Sequence, residues 1–337
     1  MEEALYHPAT GFYEGGGGQA RRDFVTSPEV GMLFGAVVAR AVDSWWEALG
    51  RPDPFVVVEA GAGPGTLART VLAASPSCAG ALRWVLVERS ATQRARHAAH
   101  LPLVPAEMAF APEDDDSARE QPVGRGPLVV SRSSLPRPAG PCVVLANELL
   151  DNLSFDLWER RAGTWHEVLV ADDLGELVVP AEPPRWLAAV DADDGARVPV
   201  QVGAAAWLRD ALAVARLEGG RVVCVDYCST TAALAARGDW LRTYRGNERG
   251  GPALSDPGRQ DITADVCIDQ LTLVRTPTGV ESQADWLRRH GIDDLVAEAA
   301  SAGTDLAGLK LRSRVTEAPQ LLDPDGLGGF TVLEWTT

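Results

Sequence analysis

The chain has 337 residues, 46% of them apolar, which is enough for one large α/β domain with an insertion or for two domains, and it argues against wholesale disorder. A formal net charge of −16 argues against a nucleic-acid partner and fits a basic one, such as an arginine-bearing protein segment. No apolar run approaches the roughly 20 residues of a membrane span, the N-terminus is acidic rather than signal-like, and five cysteines are an odd number for a disulfide framework, so the expectation is a soluble, cytoplasmic protein with no membrane partner.

The first stretch, ALYHPATGFYEGGGGQARRDF, is turn-rich, with Gly15 to Gly18 as a loop. TSPEVGMLFGAVVARAVDSWWEALG then predicts a helix. Ser27 can cap it, Pro28 suits its first position and Glu29 complements its dipole. Val30, Phe34, Val37, Val38, Ala41, Trp45 and Leu49 recur at helical spacing until Gly50 and Pro52 stop the run.

Short apolar runs follow at Phe55 to Glu59, Leu82 to Glu88, Pro141 to Ala146 and Arg221 to Tyr227. Their valine content points to strands buried on both faces, as in a parallel sheet covered by helices. Between Leu101 and Pro141 the acidic run Glu113 to Asp116 reads as a solvated loop around one further strand near Leu128. The segment FDLWERRAGTWHEVLVADDLGELVVPA alternates like an antiparallel meander, and Ala204 to Leu217 reads as a crossover helix. The expected organisation is a covering segment and helix over 1–50, a nucleotide-type half over 51–152, an inserted β-meander subdomain over 153–202, and the rest of the sheet over 203–337 with a substrate loop at 240–270. Trp45, Trp46 and Trp158 read as core residues, and no oligomeric state follows from them. Cys224 and Cys228 lack a second Cys/His pair at matching spacing, so no metal is expected.

Between the first two of these strands, VVVEAGAGPGTL forms a glycine turn that opens a helix. Its glycines, Gly61, Gly63 and Gly65, are spaced G-x-G-x-G, where a dinucleotide fingerprint needs G-x-G-x-x-G. Pro64 has no N–H to offer a pyrophosphate, and Glu59 sets a carboxylate beside the turn. A cofactor without phosphates and with a positive centre, S-adenosyl-L-methionine (SAM), suits this chemistry better. Glu59 can serve its cationic methionyl part, and Glu88, ending the next strand, can accept from both ribose hydroxyls. An ordinary strand-to-helix turn is the competing reading.

The strand PCVVLAN runs into ELLDNLSFD, so Asn147, Glu148 and Asp151 emerge at a carboxyl end of the sheet, where open α/β folds bind ligands. Methyl transfer asks an enzyme mainly to position the nucleophile and handle its proton. Toward an arginine acceptor, Glu148 and Asp151 can clamp the guanidinium and assist proton loss. The same segment also reads as a helix start with acids on its dipole. Within TYRGNERGGPALSDPGRQDITADV, a polar, Gly/Pro-rich loop, Tyr244, Arg245, Asp256 and Asp261 are candidates for substrate contact, beside the alternative of a solvated connection.

In order along the chain, LYHPATGFY, DFVTSPEVGMLFG, VVVEAGAGPGTL, VLVERS, VVLANELLDNL, VVCVDY and the YRGNERGG loop resemble the MidA-like SAM-dependent methyltransferases, from Tyr6 to about Leu287. The resemblance implies an α/β class I methyltransferase fold, a Rossmann-like, mostly parallel seven-stranded sheet with an inserted β-rich subdomain. It implies SAM as cofactor, with Glu59, Gly61, Gly63, Gly65 and Glu88 at the turn and ribose. Asp23, Thr26, Ser27, Pro28 and Glu29 match an N-terminal motif that closes over the cofactor, and Asn147, Glu148 and Asp151 match the N-E-x-x-D segment. Mitochondrial members methylate protein arginine, so the resemblance implies that acceptor. A small-molecule acceptor, or a SAM-binding assembly factor with little turnover, remain the alternatives. Two segments depart from the family pattern: LVVSRSSLP lacks the family's acid, and T-A-D-V-C at Thr263 to Cys267 stands where T-A-H-V-D is usual.

Overall fold

The computed structural model describes residues 1–15, 17, 26–111, 119–216, 219–246, 248–303 and 306–337. The expected glycine loop falls partly outside the described residues, and Asp23 and the run Glu113 to Asp116 fall wholly outside them. The chain divides into two compact units, one of Gln19–Glu148, Asp210–Val225 and Pro277–Thr337, the other of Met1–Gly18, Leu149–Arg209 and Asp226–Thr276.

The first unit is built on a seven-stranded sheet. Its strands are β1 (Phe55–Ala60), β2 (Leu82–Val87), β3 (Leu128–Arg132), β4 (Cys142–Asn147), β5 (Arg221–Asp226), β6 (Gly279–Ser282) and β7 (Thr331–Thr336). In space they run β6-β7-β5-β4-β1-β2-β3. β1 to β5 pair in parallel, with Val56 opposite both Arg83 and Cys142, and β6 pairs antiparallel to β7. This is the expected mostly parallel sheet. Every residue of β1 and β2 is buried, which is why these strands read as continuous apolar runs instead of alternating ones. Val57, Leu82, Trp84 and Val143 pack with Phe34, Val37, Val71 and Trp286 of the covering helices in one apolar core. The helix Val202–Val214 occupies the expected crossover.

The helix expected from Ser27 onward is two helices, Ser27–Val30 and Met32–Ala48, with Thr26 rather than Ser27 at the N-cap of the first. The break is at Gly31, where a β-carbon would lie 2.2 Å from the Glu317 carboxyl carbon. Glu317 Oε2 accepts from Leu33 N at 2.7 Å, supplying one of the N-terminal amide partners that a helix cannot provide for itself. Trp45 and Trp158 are buried, and Trp46 is half-buried, donating to the Pro52 carbonyl.

In the second unit the insertion forms a four-stranded antiparallel sheet in the order Glu176–Pro180, Thr164–Val170, Asp156–Arg161, Arg197–Val200. Trp158, Trp165, Leu187 and Val198 make its core. The stretch expected as a substrate loop carries a second antiparallel sheet: Leu241–Arg245 pairs with Glu248–Arg249 and with Asp261–Ala264. Only residues 250–260 between them are irregular. Thr243, Ile262 and Ala264 are buried, but strands this short, between Gly/Pro-rich turns, present too few residues for alternation to register.

Candidate functional site

β1 delivers the glycine turn. Gly61, Gly63 and Gly65 have φ of +70°, +52° and +85°, the left-handed region where a β-carbon is strained, so glycine is favoured at all three. Gly61 N and Ala62 N both donate to Val87 O at the end of β2, and Gly65 caps the helix Thr66–Ala73. The Gly63 peptide is held from both sides. Its N–H donates to Glu88 Oε2 at 2.9 Å, and its carbonyl accepts from His97 Nε2 at 2.8 Å. Since a carbonyl can only accept, Nε2 carries the proton, and burial holds the His97 pKa down, so the ring is neutral and Nδ1 accepts from Ser131 Oγ at 2.8 Å. A β-carbon on Gly63 would meet nothing within 4 Å, so the turn faces open space there.

The two acids flanking the turn differ in state. Glu59 accepts from Trp84 Nε1 at 2.8 Å and from the Ala68 amide in the first turn of the following helix. Burial pushes its pKa up to about 8, with the charge of Glu88 adding to that, so Glu59 is largely protonated near neutral pH. Glu88 is also raised by burial, against the amides of Ser90 and Gly63 that donate to its two oxygens. The Arg89 amide donates to the same carboxyl, which still has lone-pair capacity for a ligand hydroxyl.

At the end of β4, Glu148 has φ of +51°, uncommon for a side chain of its kind, and its amide donates to Val225 O at 2.8 Å. Glu148 Oε1 accepts from Asn147 Nδ2 at 3.0 Å and from Ser27 N at 3.3 Å, and Ser27 Oγ donates to Gln283 Oε1 at 2.9 Å. Thus Ser27, Asn147 and Glu148, singled out separately in the sequence, meet in one chain of hydrogen bonds. Thr26 offers no side-chain cap; its carbonyl accepts from Glu29 N. Two buried atoms of this group, Asn147 Oδ1 and Gln283 Nε2, have no hydrogen-bond partner among the described residues.

The second unit holds a cluster of acids. Asp226, the last residue of β5, accepts from Leu150 N, Asp151 N and Tyr227 N, fixing the turn that carries Asp151. Asp151 is buried; Tyr227 donates its hydroxyl to Oδ2, and Oδ1 has no hydrogen-bond partner among the described residues. Asp261 is buried beside Asn152 Nδ2 at 3.2 Å and the Tyr13 hydroxyl at 3.1 Å. Burial pushes Asp151 up to about 6 and Asp261 up to about 7, the Asp151 charge contributing to the second. Arg242 stacks over Tyr227, 4.5 Å from ring centroid to guanidinium carbon, and pairs with Asp265, which also holds Arg237. The departure at Asp265 is therefore a buried anion neutralised by two arginines.

Of the four expected substrate-loop residues, only Asp261 joins this cluster. Tyr244 lies opposite it in the strand register, with Arg249 over its ring, while Arg245 and Asp256 form an exposed ion pair at 2.9 Å. Sequence reasoning missed Tyr13, Tyr227, His97, Trp84 and Gln283. Tyr13 and Tyr227 end two of the family-like segments, LYHPATGFY and VVCVDY, which is the signal that could have found them; His97, Trp84 and Gln283 lie in no such segment.

The residues present fit SAM. An open face at Gly63, a turn proline without an N–H, and a buried acceptor and donor in want of partners suit a ligand that carries ammonium, carboxylate and ribose hydroxyls and no phosphate.

A family model described as S-adenosyl-L-methionine-dependent methyltransferase (Methyltransf_28) matches residues 37–284. The protein arginine methyltransferase NDUFAF7, mitochondrial, of Danio rerio is 27% identical over 97% of this chain and 80% of its own length. The Homo sapiens protein of the same name is 26% identical over 87% and 69%. A crystal structure of a Burkholderia thailandensis protein bound to S-adenosyl-homocysteine superposes with a TM-score of 0.77 at 26% identity, covering 100% of this chain and 86% of that one. These relatives correct the expectation of a cytoplasmic protein, because the curated ones are named as mitochondrial. Among the described residues no helix is long and apolar enough to cross a membrane, but that feature does not select a compartment.

Proposed function

The chain belongs to the family of S-adenosyl-L-methionine-dependent methyltransferases, and from that premise we propose that it methylates arginine in a protein substrate. The observation that carries the proposal is Asp151, a buried carboxyl with one oxygen taken by Tyr227 and the other without a hydrogen-bond partner. The names of the arginine-methylating relatives support the same acceptor.

When bound, SAM supplies an electrophilic methyl group on a sulfonium sulfur. In this reading the glycine turn from Gly61 to Gly65 holds the cofactor, Glu88 accepts from its ribose hydroxyls, and Thr26 and Ser27 belong to the segment that covers it. A guanidinium is protonated throughout the physiological range, and its nitrogen becomes nucleophilic only as a proton leaves. Glu148 would orient the guanidinium, and Asp151 Oδ1 would take the proton that its reacting nitrogen gives up. Asn147 positions Glu148 through its amide. A carboxyl with a pKa of about 6 suits this task, since it is mostly ionised at neutral pH yet basic enough to accept. The net charge of −16 favours approach of a basic segment.

The test is incubation of the purified protein with methyl-labelled SAM and host lysate, followed by acid hydrolysis of the labelled protein. Label in methylarginines is the expected result. Label on other residues, or only in small molecules, rejects the arginine acceptor.

A further inference from the structure

We propose that Gln283, with Asn147, forms the subsite for the amino-acid end of SAM: Gln283 Nε2 donates to the carboxylate, and Asn147 Oδ1 accepts from the ammonium. The assignment rests on the cofactor and not on the identity of the methyl acceptor.

Four observations carry it. First, Gln283 has no exposed surface, and its Nε2 has no hydrogen-bond partner, a state that costs free energy unless a ligand completes it. Second, the complementary defect lies in the same hydrogen-bonded group. Gln283 accepts from Ser27 Oγ, the Ser27 amide donates to Glu148, Glu148 accepts from Asn147 Nδ2, and Asn147 Oδ1 is again buried without a partner. A zwitterionic amino-acid group brings both an acceptor for the orphaned donor and donors for the orphaned acceptor.

Third, the register sets the group beside the cofactor turn. β1 and β4 are neighbours with Ala60 opposite Ala146, so Asn147 follows on β4 where Gly61 follows on β1. Fourth, Asn147 and Trp286, three residues beyond Gln283, wall the same small and otherwise apolar void, so the two orphaned amides belong to neighbouring segments. Glu59 is not the group that meets the ammonium in this arrangement. Its carboxyl is committed to Trp84 and Ala68 and is largely neutral, so it acts as a rigid wedge behind the turn.

The experiment is calorimetric binding of two ligands, S-adenosyl-homocysteine and 5′-methylthioadenosine, which share the adenosine and thioether but differ in the amino-acid end. Gln283→Leu is expected to weaken S-adenosyl-homocysteine by about tenfold or more, the scale of a hydrogen bond to a charged group, while leaving methylthioadenosine within about twofold. Gln283→Glu keeps the acceptor for Ser27 and nearly the same volume but turns the donor into an anion facing the carboxylate. It guards against a folding defect in the leucine variant and is expected to show the same selective loss. Equal weakening of both ligands in both variants overturns the subsite and leaves Gln283 a structural residue. Unchanged affinity for S-adenosyl-homocysteine in either folded variant also overturns it. Failure of the unmodified protein to bind either ligand overturns the cofactor itself, an outcome distinct from loss of the subsite alone.

Discussion

Tyr227 donates its hydroxyl to one carboxylate oxygen of Asp151 and leaves the other oxygen buried with no hydrogen-bond partner. Tyr227 itself is held neutral, its pKa raised well above the usual phenol range by burial and by the nearby aspartates, so it remains a donor at every working pH. Tyr227 and Arg242 lower the pKa of Asp151, and the Asp151 charge in turn raises that of Asp261. Burial outweighs the lowering contributions and leaves Asp151 at about 6.

Tyr227→Phe removes the hydroxyl that favours ionised Asp151. The acid limb of kcat/KM against pH is expected to lie near pH 6 in the unmodified enzyme and to move upward in the variant. A hydrogen bond to a charged group is worth about 1.5–3 kcal/mol, so the shift is about one to two pH units. An unshifted limb with uniformly lower activity would make Tyr227 a packing residue only.

Asp261→Asn should leave the limb in place. Asp261, raised to about 7, is largely protonated where Asp151 titrates near 6, and the amide oxygen still accepts from Tyr13, Asn152 and the Ile262 amide. A limb that moves upward in Tyr227→Phe and stays in Asp261→Asn, read in the same assay, would tie it to Asp151; an equal shift in both would untie it.

Glu148→Gln preserves the oxygen that accepts from Ser27 N and Asn147 Nδ2 and should preserve the backbone at φ of +51°. Binding of S-adenosyl-homocysteine is expected to stay within a few-fold of the unmodified protein, while methyl transfer drops by about 100-fold, the lower range for a residue that handles the reacting proton. Loss of binding in parallel with transfer would make Glu148 a cofactor or structural residue.

Gly63→Val and Gly50→Val separate backbone strain from ligand space. Both glycines have positive φ, +52° and +78°, and both face nothing within 4 Å. Each substitution is expected to cost about 1–3 kcal/mol of stability through strain. Only Gly63→Val should abolish S-adenosyl-homocysteine binding, because its side chain enters the space where the turn meets the cofactor. Normal binding by folded Gly63→Val would remove the glycine turn from the site.

Glu59→Gln tests the neutral wedge. Burial raises Glu59 from 4.5 to about 8, so between those values the folded chain holds a proton that the unfolded chain has released. Stability contributed by this group is full below pH 4.5 and declines as pH rises toward 8. The melting temperature of the unmodified protein should therefore fall more steeply from pH 5 to pH 8 than that of the variant, the gap corresponding to roughly a few kcal/mol at the upper end. Parallel curves would mean that Glu59 is ionised in the folded state.

The sheet was legible in the sequence because its strands are buried on both faces: runs such as Phe55 to Glu59 and Leu82 to Glu88 are mostly apolar, with Glu59, Arg83 and Glu88 the exceptions, and need no partner to be recognised. The helix break at Gly31 was not legible, since its cause, the Glu317 carboxyl, lies 284 positions away from the amide it caps. The two short strands that carry Tyr244 and Asp261 were hidden among turn residues for a similar reason, their pairing being set across the sheet and not along the chain.

The site divides in the same way. G-x-G-x-G is visible because three alternating positive-φ positions favour glycine, and Asn147, Glu148 and Asp151 are visible because they fall within five residues at the end of a strand. That much belongs to local backbone geometry, which a sequence determines by itself. Gln283 meets Ser27 across 256 positions and Tyr227 meets Asp151 across 76, so neither partnership has a local signature. The protonation of Glu59, Asp151 and Asp261 was likewise decided only by tertiary structure. An acid's charge depends on the water excluded around it and the neighbours set against it, and folding supplies both from distant parts of the chain.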